Sequence, residues 1–408
     1  MKVLLLHNRY RETGGEDHVV SAEMALLAAH GDDPMLLEVT NSAIAGFLSK
    51  ARAAVRTIYS EAARRNVAAA IARFAPDVVH AHNLVPLLSP SVYFAARRAG
   101  VPVVQTVHNY RLVCPNGLLF RNGSPCETCV GRALPWPGVV HGCYRGSRAA
   151  TAAVAAMLGT HRALGTWSRS VDAYVAPSQF VRRMLLRGGI PDDRIHVKPH
   201  FVEGRPVAGD GRGGYALFVG RISEEKGIRT LLSAWTRLRE RLPLKIVGDG
   251  PALGGLVAAS RGLGGVEWAG RARGEQVRAM LQSARLLVVP SLCYETFGRV
   301  IIEAFAAGTP VIAPRHGAIA ELVEHERTGL LFDPGSAPAL TDAVEQVLAA
   351  PASLAAMRRN ARAEFEEKYG AARNYALLME TYARAREAGS SRERVLAWPA
   401  KEERSWNR

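Results

Sequence analysis

Twelve short apolar runs decide what this chain can fold into. Val3–His7, Met35–Val39, Asp77–His80, Val103–Val107, Ala173–Ala176 and Arg194–Lys198 form a first set. Tyr215–Val219, Leu244–Val247, Val266–Ala269, Leu286–Val289, Val311–Ala313 and Gly329–Phe332 form a second. They do not alternate strictly between apolar and polar residues, and helical patterns such as Asp17–Ala29 and Ala62–Phe74 lie between them. A strand buried on both faces carries a near-continuous apolar run, and helices between such strands make the sheet parallel and cover it on both sides. The pattern predicts an α/β chain of two doubly wound parallel-sheet domains, with ligands at the carboxyl ends of the strands. At 408 residues the chain is also too long for one ordinary core. The expected boundaries are 1–200 and 201–370. Pro199, Gly204, Pro206 and the run GDGRGG between them read as a flexible linker. Residues 339–385 read as helices, and 388–408 as a polar, mobile tail.

One stretch combines several chemical groups in a short span. Pro290–Pro310, PSLCYETFGRVIIEAFAAGTP, begins where the run Leu286–Val289 ends. Glu295 falls in a loop, and a helix is expected from about Gly298 to Ala307, closed by Gly308 and Pro310. Glu303 lies about one turn inside that helix. The first amides of a helix have no internal partners and carry partial positive charge, which suits a diphosphate. Carboxylates on either side accept hydrogen bonds from sugar hydroxyls. The pair therefore fits two hydroxyl-rich groups joined by a phosphate bridge, as in a nucleotide sugar. The plainer alternative is a capping Glu295 and a solvated Glu303.

Other candidates follow the ends of strands. Gly14 and Gly15 come after the first run, where a loop without Cβ atoms lets a ligand approach closely. No G-x-G-x-x-G is present, which argues against dinucleotide redox chemistry. His80 and His82 share a strand end as crevice-lining residues, and His108 ends the run Val103–Val107 in QTVHNYR. Arg221 and Lys226 in GRISEEKG are two cations able to grip a diphosphate. VGDGP supplies Gly248 as a turn, and Arg271 follows the next run. Cys293 reads as a buried small residue without nucleophilic activation.

Cys114, Cys126, Cys129 and Cys143 crowd into one Gly- and Pro-rich segment, 114–143. Four thiolates can close a tetrahedral zinc site, with C-x2-C as half of it. Free thiols and disulfides are the alternatives, and disulfides are disfavoured in a reducing compartment. A metal held this way is structural.

Gly14-Gly15, His108, GRISEEKG, VGDGP and ETFGRVIIEA at 295–304 resemble, in order and over the chain to about residue 385, the retaining glycosyltransferases of family 4 (group 1 type). The four-cysteine segment marks a subgroup within that resemblance. It implies the GT-B fold, two Rossmann-like domains facing a central cleft, with the segment 371–387 crossing back to the first domain. The first domain would take the acceptor and the second the donor. The resemblance further implies that Glu295, Thr296, Phe297, Gly298 and Arg299 meet donor sugar and diphosphate, Glu303 the ribose, and His108 the sugar near its 6-position. It implies transfer with retained configuration by same-face attack, with Arg221 and Lys226 neutralising the departing diphosphate, so that no metal is required for chemistry. Two rivals are a nucleotide-sugar epimerase of the same architecture and a basic nucleic-acid-binding module built on a four-cysteine metal site. An inactive sugar-binding homologue is a third, opposed by the intact Glu295, Glu303, Arg221 and Lys226.

The charge bears on partners. The formal net charge is +15, and among residues 1–200 Lys and Arg exceed Asp and Glu by ten. Nucleic acid, an anionic membrane or lipid-phosphate acceptor, or an arginine-rich composition with no partner would each account for it. The arginines lack aromatic interleaving, so no nucleic acid is expected. No run reaches 18 uninterrupted apolar residues, and MKVLLLHNRY reads as a first strand rather than a signal peptide. A cytoplasmic enzyme is expected, with peripheral contact at the inner membrane face left open. The acceptor, be it a glycan, a lipid-linked sugar or a small molecule, is not written in these residues.

Overall fold

The computed structural model describes residues 1–9, 14–40 and 54–396. The last part of the expected tail, with Trp398 and Trp406, lies outside the described residues.

The first set of runs builds β1 (Lys2–Arg9), β2 (Asp33–Thr40), β3 (Val78–Ala81), β4 (Val103–Thr106), β7 (Ala173–Ala176) and β8 (Ile195–Val197). A short antiparallel hairpin, β5 (Phe120–Arg121) and β6 (Ser124–Pro125), lies apart from them in the cysteine segment. The second set builds β9 (Ala216–Val219), β10 (Leu244–Val247), β11 (Val266–Gly270), β12 (Leu286–Val288), β13 (Val311–Pro314) and β14 (Gly329–Phe332). Each strand lies within two residues of its expected run. Two six-stranded sheets result, ordered β2-β1-β3-β4-β7-β8 and β11-β10-β9-β12-β13-β14, and every pairing in them is parallel. Burial explains the choice. Val3, Leu4, Leu5 and Leu6 are all fully buried, as are Ala216 and Leu217, so neither face of these strands can tolerate water.

The strand orders fix where ligands can sit. Each sheet reverses its direction of winding once, between β1 and β3 in the first and between β9 and β12 in the second. A crevice opens at such a switch point because the two neighbouring connections leave to opposite faces. The loops after β1 and β3 carry Gly14-Gly15 and His82. The loops after β9 and β12 carry Arg221–Lys226 and Pro290–Gly298.

Two expectations change. The linker is not flexible: Gly209, Gly211 and Gly213 donate backbone hydrogen bonds to Ala307, Gln282 and Ser283. Arg358 and Arg362 hold the carbonyls of Gly209 and Pro206 from a later helix, Pro351–Lys368. Glycine is required at 209, where a Cβ would fall 2.0 Å from the Gln282 carbonyl oxygen. The final helix is also longer than read, Ala371–Leu396, and so runs into the segment expected as tail. Its Leu378, Tyr382 and Ala385 are fully buried with Val3, Leu5, Val104 and Val175 of the first sheet. Among the described residues no helix is long and apolar enough to cross a membrane.

Candidate active site

The loops after β9 and β12 are locked together. Gly227 has φ 69°, and a Cβ there would sit 1.9 Å from the carbonyl oxygen of Pro290. Leu292 donates its amide to the Glu225 carbonyl at 2.8 Å. This lock brings Lys226 to Glu295, Nζ to Oε1 at 2.5 Å, and the Ser291 hydroxyl donates to the same oxygen at 2.7 Å. Burial alone would raise the Glu295 carboxyl, but Lys226 and Ser291 hold it below its ordinary value. Burial would likewise lower Lys226, and Glu295 outweighs it, so the ammonium is held charged.

The helix expected from Gly298 runs Arg299–Ala306, with Gly298 as its N-cap at φ 95°. A side chain there would be strained and would press on Ile301 Cδ1 at 3.0 Å. Phe297 turns inward and is buried, so only its backbone remains for a ligand. Arg299 Nε lies 3.1 Å from Glu303 Oε1. Burial raises the Glu303 carboxyl, with Arg299 and Arg278 offsetting part of the rise. Arg221 is exposed. Gly248 donates its amide to Gly270 at 2.8 Å, and Arg271 pairs with Asp249 at 3.1 Å across the exposed ends of β10 and β11.

The first sheet meets this loop directly. Thr296 donates its hydroxyl to the His108 carbonyl at 3.1 Å, Tyr110 donates to the Glu295 carbonyl at 3.0 Å, and Ser178 donates to the Thr296 carbonyl at 2.9 Å. His108, at the end of β4, therefore stands against the donor-side loop. Gly14 precedes the helix Gly15–Ala29, and its amide is held by Asp17 at 2.7 Å. Among the described residues, chain neighbours and the helix's own backbone apart, nothing lies within 4 Å of where a Cβ would stand on Gly14 or Gly15.

Sequence reasoning missed a buried network behind His108. His82 Nδ1 is 2.9 Å from His108 Nε2, and His82 Nε2 is 3.5 Å from Glu23 Oε2. Glu23 accepts from Lys198 at 2.7 Å, and Lys198 donates onward to Asn374 of the final helix at 2.9 Å. Burial would raise Glu23, but Lys198 and His82 keep it low and ionised. His82 Nε2 and Glu23 Oε2 make no hydrogen bond, but the carboxylate charge 3.5 Å away favours the hydrogen of His82 on Nε2. His82 Nδ1 then accepts from His108 Nε2–H, which leaves His108 Nδ1 as an acceptor. Burial, helped by the neighbouring histidines, holds His82, His108 and His200 far below their ordinary pKa, so these imidazoles are neutral around pH 7. Its signals were weak in sequence: one glutamate inside an apolar helix face and one lysine at a strand end, in HVKPH.

Glu23, His80 and His82 are also the group, among the described residues, whose ligand atoms lie within 4.8 Å of one another. Lys198 makes it a poor cation site. Both ring nitrogens of His80 are already taken, by Tyr382 at 2.7 Å and Thr106 at 2.8 Å.

The four-thiolate zinc set expected on Cys114, Cys126, Cys129 and Cys143 is not assembled. All are free thiols, and no three of these sulfurs gather within 4.8 Å. Tetrahedral zinc with bonds of about 2.3 Å would need sulfurs about 3.8 Å apart. Cys114 instead donates to Asn116 at 3.0 Å, Cys126 meets Thr128 at 3.4 Å and Cys129 faces the Pro135 carbonyl at 3.8 Å. Local turns order the segment without a staple.

Comparison with known proteins agrees with this layout. A model described as Glycosyltransferase Family 4 matches residues 22–203, and one described as Glycosyl transferases group 1 matches residues 213–350. The chain is 30% identical to a 2-deoxystreptamine glucosyltransferase of Streptomyces kanamyceticus over 76% of its own length and 78% of the relative. It is 32% identical to a GDP-mannose-dependent alpha-mannosyltransferase of Mycolicibacterium smegmatis, over 68% and 66%. Among solved structures it shares the fold of Anabaena HepE in complex with UDP-glucose, with TM-score 0.68, 18% identity, and 94% and 99% coverage.

Proposed function

This chain belongs to the family 4, group 1 glycosyltransferases, retaining enzymes of the GT-B fold, and we propose that it grips its donor through Lys226, Glu295 and the head of the helix Arg299–Ala306. It is a glycosyltransferase that moves a sugar from a nucleotide-sugar donor with retention of configuration. Enzymes of this family do so without a metal cofactor. The epimerase and nucleic-acid rivals lose their support, because the relatives matched over most of the chain are glycosyltransferases.

The observation that carries the assignment of roles is the Lys226–Glu295 contact at the second sheet's switch point, set against His108 from the loop after β4 of the first sheet. Lys226, with Arg221 beside it, neutralises the diphosphate as it leaves. Displaced from Lys226, Glu295 accepts hydrogen bonds from hydroxyls of the donor sugar. The amides of Phe297, Gly298 and Arg299 meet the diphosphate, and Thr296 lines the sugar. Glu303, freed from Arg299, takes the ribose hydroxyls. Gly248 and Arg271 border the base. His108 presents Nδ1 as an acceptor to a sugar hydroxyl, and Gly14-Gly15 leaves room for phosphate or acceptor. Residues 1–200 then serve the acceptor and 201–370 the donor. Attack from the face the diphosphate leaves accounts for retention, with the leaving phosphate taking the acceptor's proton.

The solved relative holding UDP-glucose makes uridine diphosphate sugars the first donors to test, and the mannosyltransferase makes GDP-mannose the second. A thermal-shift screen over UDP-, GDP-, ADP- and dTDP-sugars tests the reading. A true donor at 100-fold its Kd adds about 2.7 kcal/mol of stability. No shift with any nucleotide sugar overturns it. Structural zinc on the four cysteines has only their spacing in sequence behind it, since their sulfurs are not gathered, and elemental analysis after anaerobic, chelator-free purification tests it.

A further inference from the structure

From Thr128 to Val171 the chain carries five arginines and no aspartate or glutamate, although acidic residues occur about once in ten elsewhere. The same stretch holds large apolar side chains facing water. Leu134 is 50% exposed, Trp136 54% and Val140 50%. They do not dangle from a loose loop. The segment 132–140 is strapped antiparallel along the helix Arg148–Ala163: Arg162 donates to the Arg132 carbonyl at one end, and Arg148 donates to the Val140 carbonyl at 3.1 Å at the other. Leu134 packs over Gly159, where a Cβ would come within 3.0 Å of it. Trp136 and Val140 open and close a short helix and so share one side of it. The guanidinium of Arg132 lies over the Trp136 ring, 5.6 Å from its centroid.

We propose that this face, Leu134, Trp136 and Val140 flanked by the exposed Arg132 and Arg148, docks on the surface of an anionic phospholipid bilayer. The apolar side chains would enter the headgroup boundary, where tryptophan is favoured, while the arginines meet lipid phosphates. The complete lack of carboxylates selects this occupant. A protein partner tolerates mixed charge at its rim, but a negative surface repels every acidic side chain brought to it. The face also backs on the acceptor side. Met157 and Leu158, on the helix beneath it, line a pocket that reaches His108, Asn109 and Arg111. Docking there would hold the acceptor half of the enzyme against the membrane. Only that last consequence rests on the proposed roles of the two halves, since lipid binding is measured without any transfer reaction.

The test is co-sedimentation of the full chain with vesicles of phosphatidylcholine alone or mixed with phosphatidylglycerol. Binding is expected to the mixed vesicles only, and to weaken as salt rises. Arg132→Gln and Arg148→Gln should each weaken it about fivefold. Leu134→Ser, Trp136→Ser and Val140→Ser together should abolish it with the circular dichroism spectrum unchanged. Trp136→Phe should keep binding but lose the quenching of tryptophan fluorescence by brominated acyl chains. Equal binding to both vesicles, full binding by the triple variant, or a concentration-dependent dimer that the triple variant dissolves would each overturn the proposal.

Discussion

His82 Nδ1 lies 2.9 Å from His108 Nε2, and this contact decides which face His108 shows to the cleft. With the Glu23 charge favouring the hydrogen of His82 on Nε2, His108 donates through Nε2 to His82 and its Nδ1 is left to accept. His82→Phe should lower kcat/KM about tenfold, the worth of one positioned hydrogen bond. His82→Asn, which returns an oxygen acceptor near the Nδ1 position, should recover most of that. Nitrogen chemical shifts of labelled His108 report the tautomer directly, and a hydrogen on Nδ1 would refute the arrangement.

Glu295→Ala should abolish transfer while leaving the far-ultraviolet spectrum unchanged. Turnover near wild type would remove its role. The same substitution leaves the ammonium of Lys226 half-buried without its partner, so it should also lower Tm. The double variant Lys226→Ala/Glu295→Ala should be more stable than the sum of the single losses, since the two groups touch.

Lys226→Ala should reduce kcat by about a hundredfold if the ammonium meets charge that develops only as the diphosphate departs. A change confined to KM would instead mean that Lys226 holds donor and transition state equally.

Chelation provides a separate check. Transfer should persist in excess chelator, and loss reversed only by added magnesium would count against charge neutralisation by Arg221 and Lys226.

Glu16 gives a pH signature. Burial, then the neighbouring Asp17, raises its carboxyl to about 7, with Arg111 and Asn83 opposing. The unfolded chain loses this proton at a lower pH than the folded one. Stability contributed here is therefore present at acid pH and fades as pH rises toward 7. Glu16→Gln removes the loss, so the Tm difference between variant and wild type should grow in the variant's favour from about pH 5 to 7 and then level off. A constant difference across that range would show that Glu16 does not titrate as described.

How much of this could be read from residues alone follows from what each signal depends on. Apolar runs such as Val3–His7 and Leu244–Val247 are local, and burial on both faces leaves them little choice but a parallel sheet. The candidate donor loop was legible because its groups sit within nine positions, Glu295 to Glu303, on one strand–loop–helix unit. The Lys226–Glu295 contact was not, since it depends on Gly227 fitting beneath Pro290, a closeness that only the folded sheet creates. Glu23 and Lys198 were harder still, 175 positions apart and joined across the interior. The cysteines misled for the opposite reason. Their spacing suggests convergence, but neighbouring turns engage Cys114, Cys126 and Cys129 where they stand.

Three hydroxyls, on Tyr110, Ser178 and Thr296, tie the two halves of the enzyme together across the cleft. Each such bond is worth about 1 kcal/mol net, so the set amounts to a latch of about 3 kcal/mol. The Phe180 amide and the Arg183 guanidinium, both on Glu321, add to it from the same side. A latch made of separate small bonds can be undone one at a time to admit a donor, and each bond that re-forms behind it helps keep bulk water out.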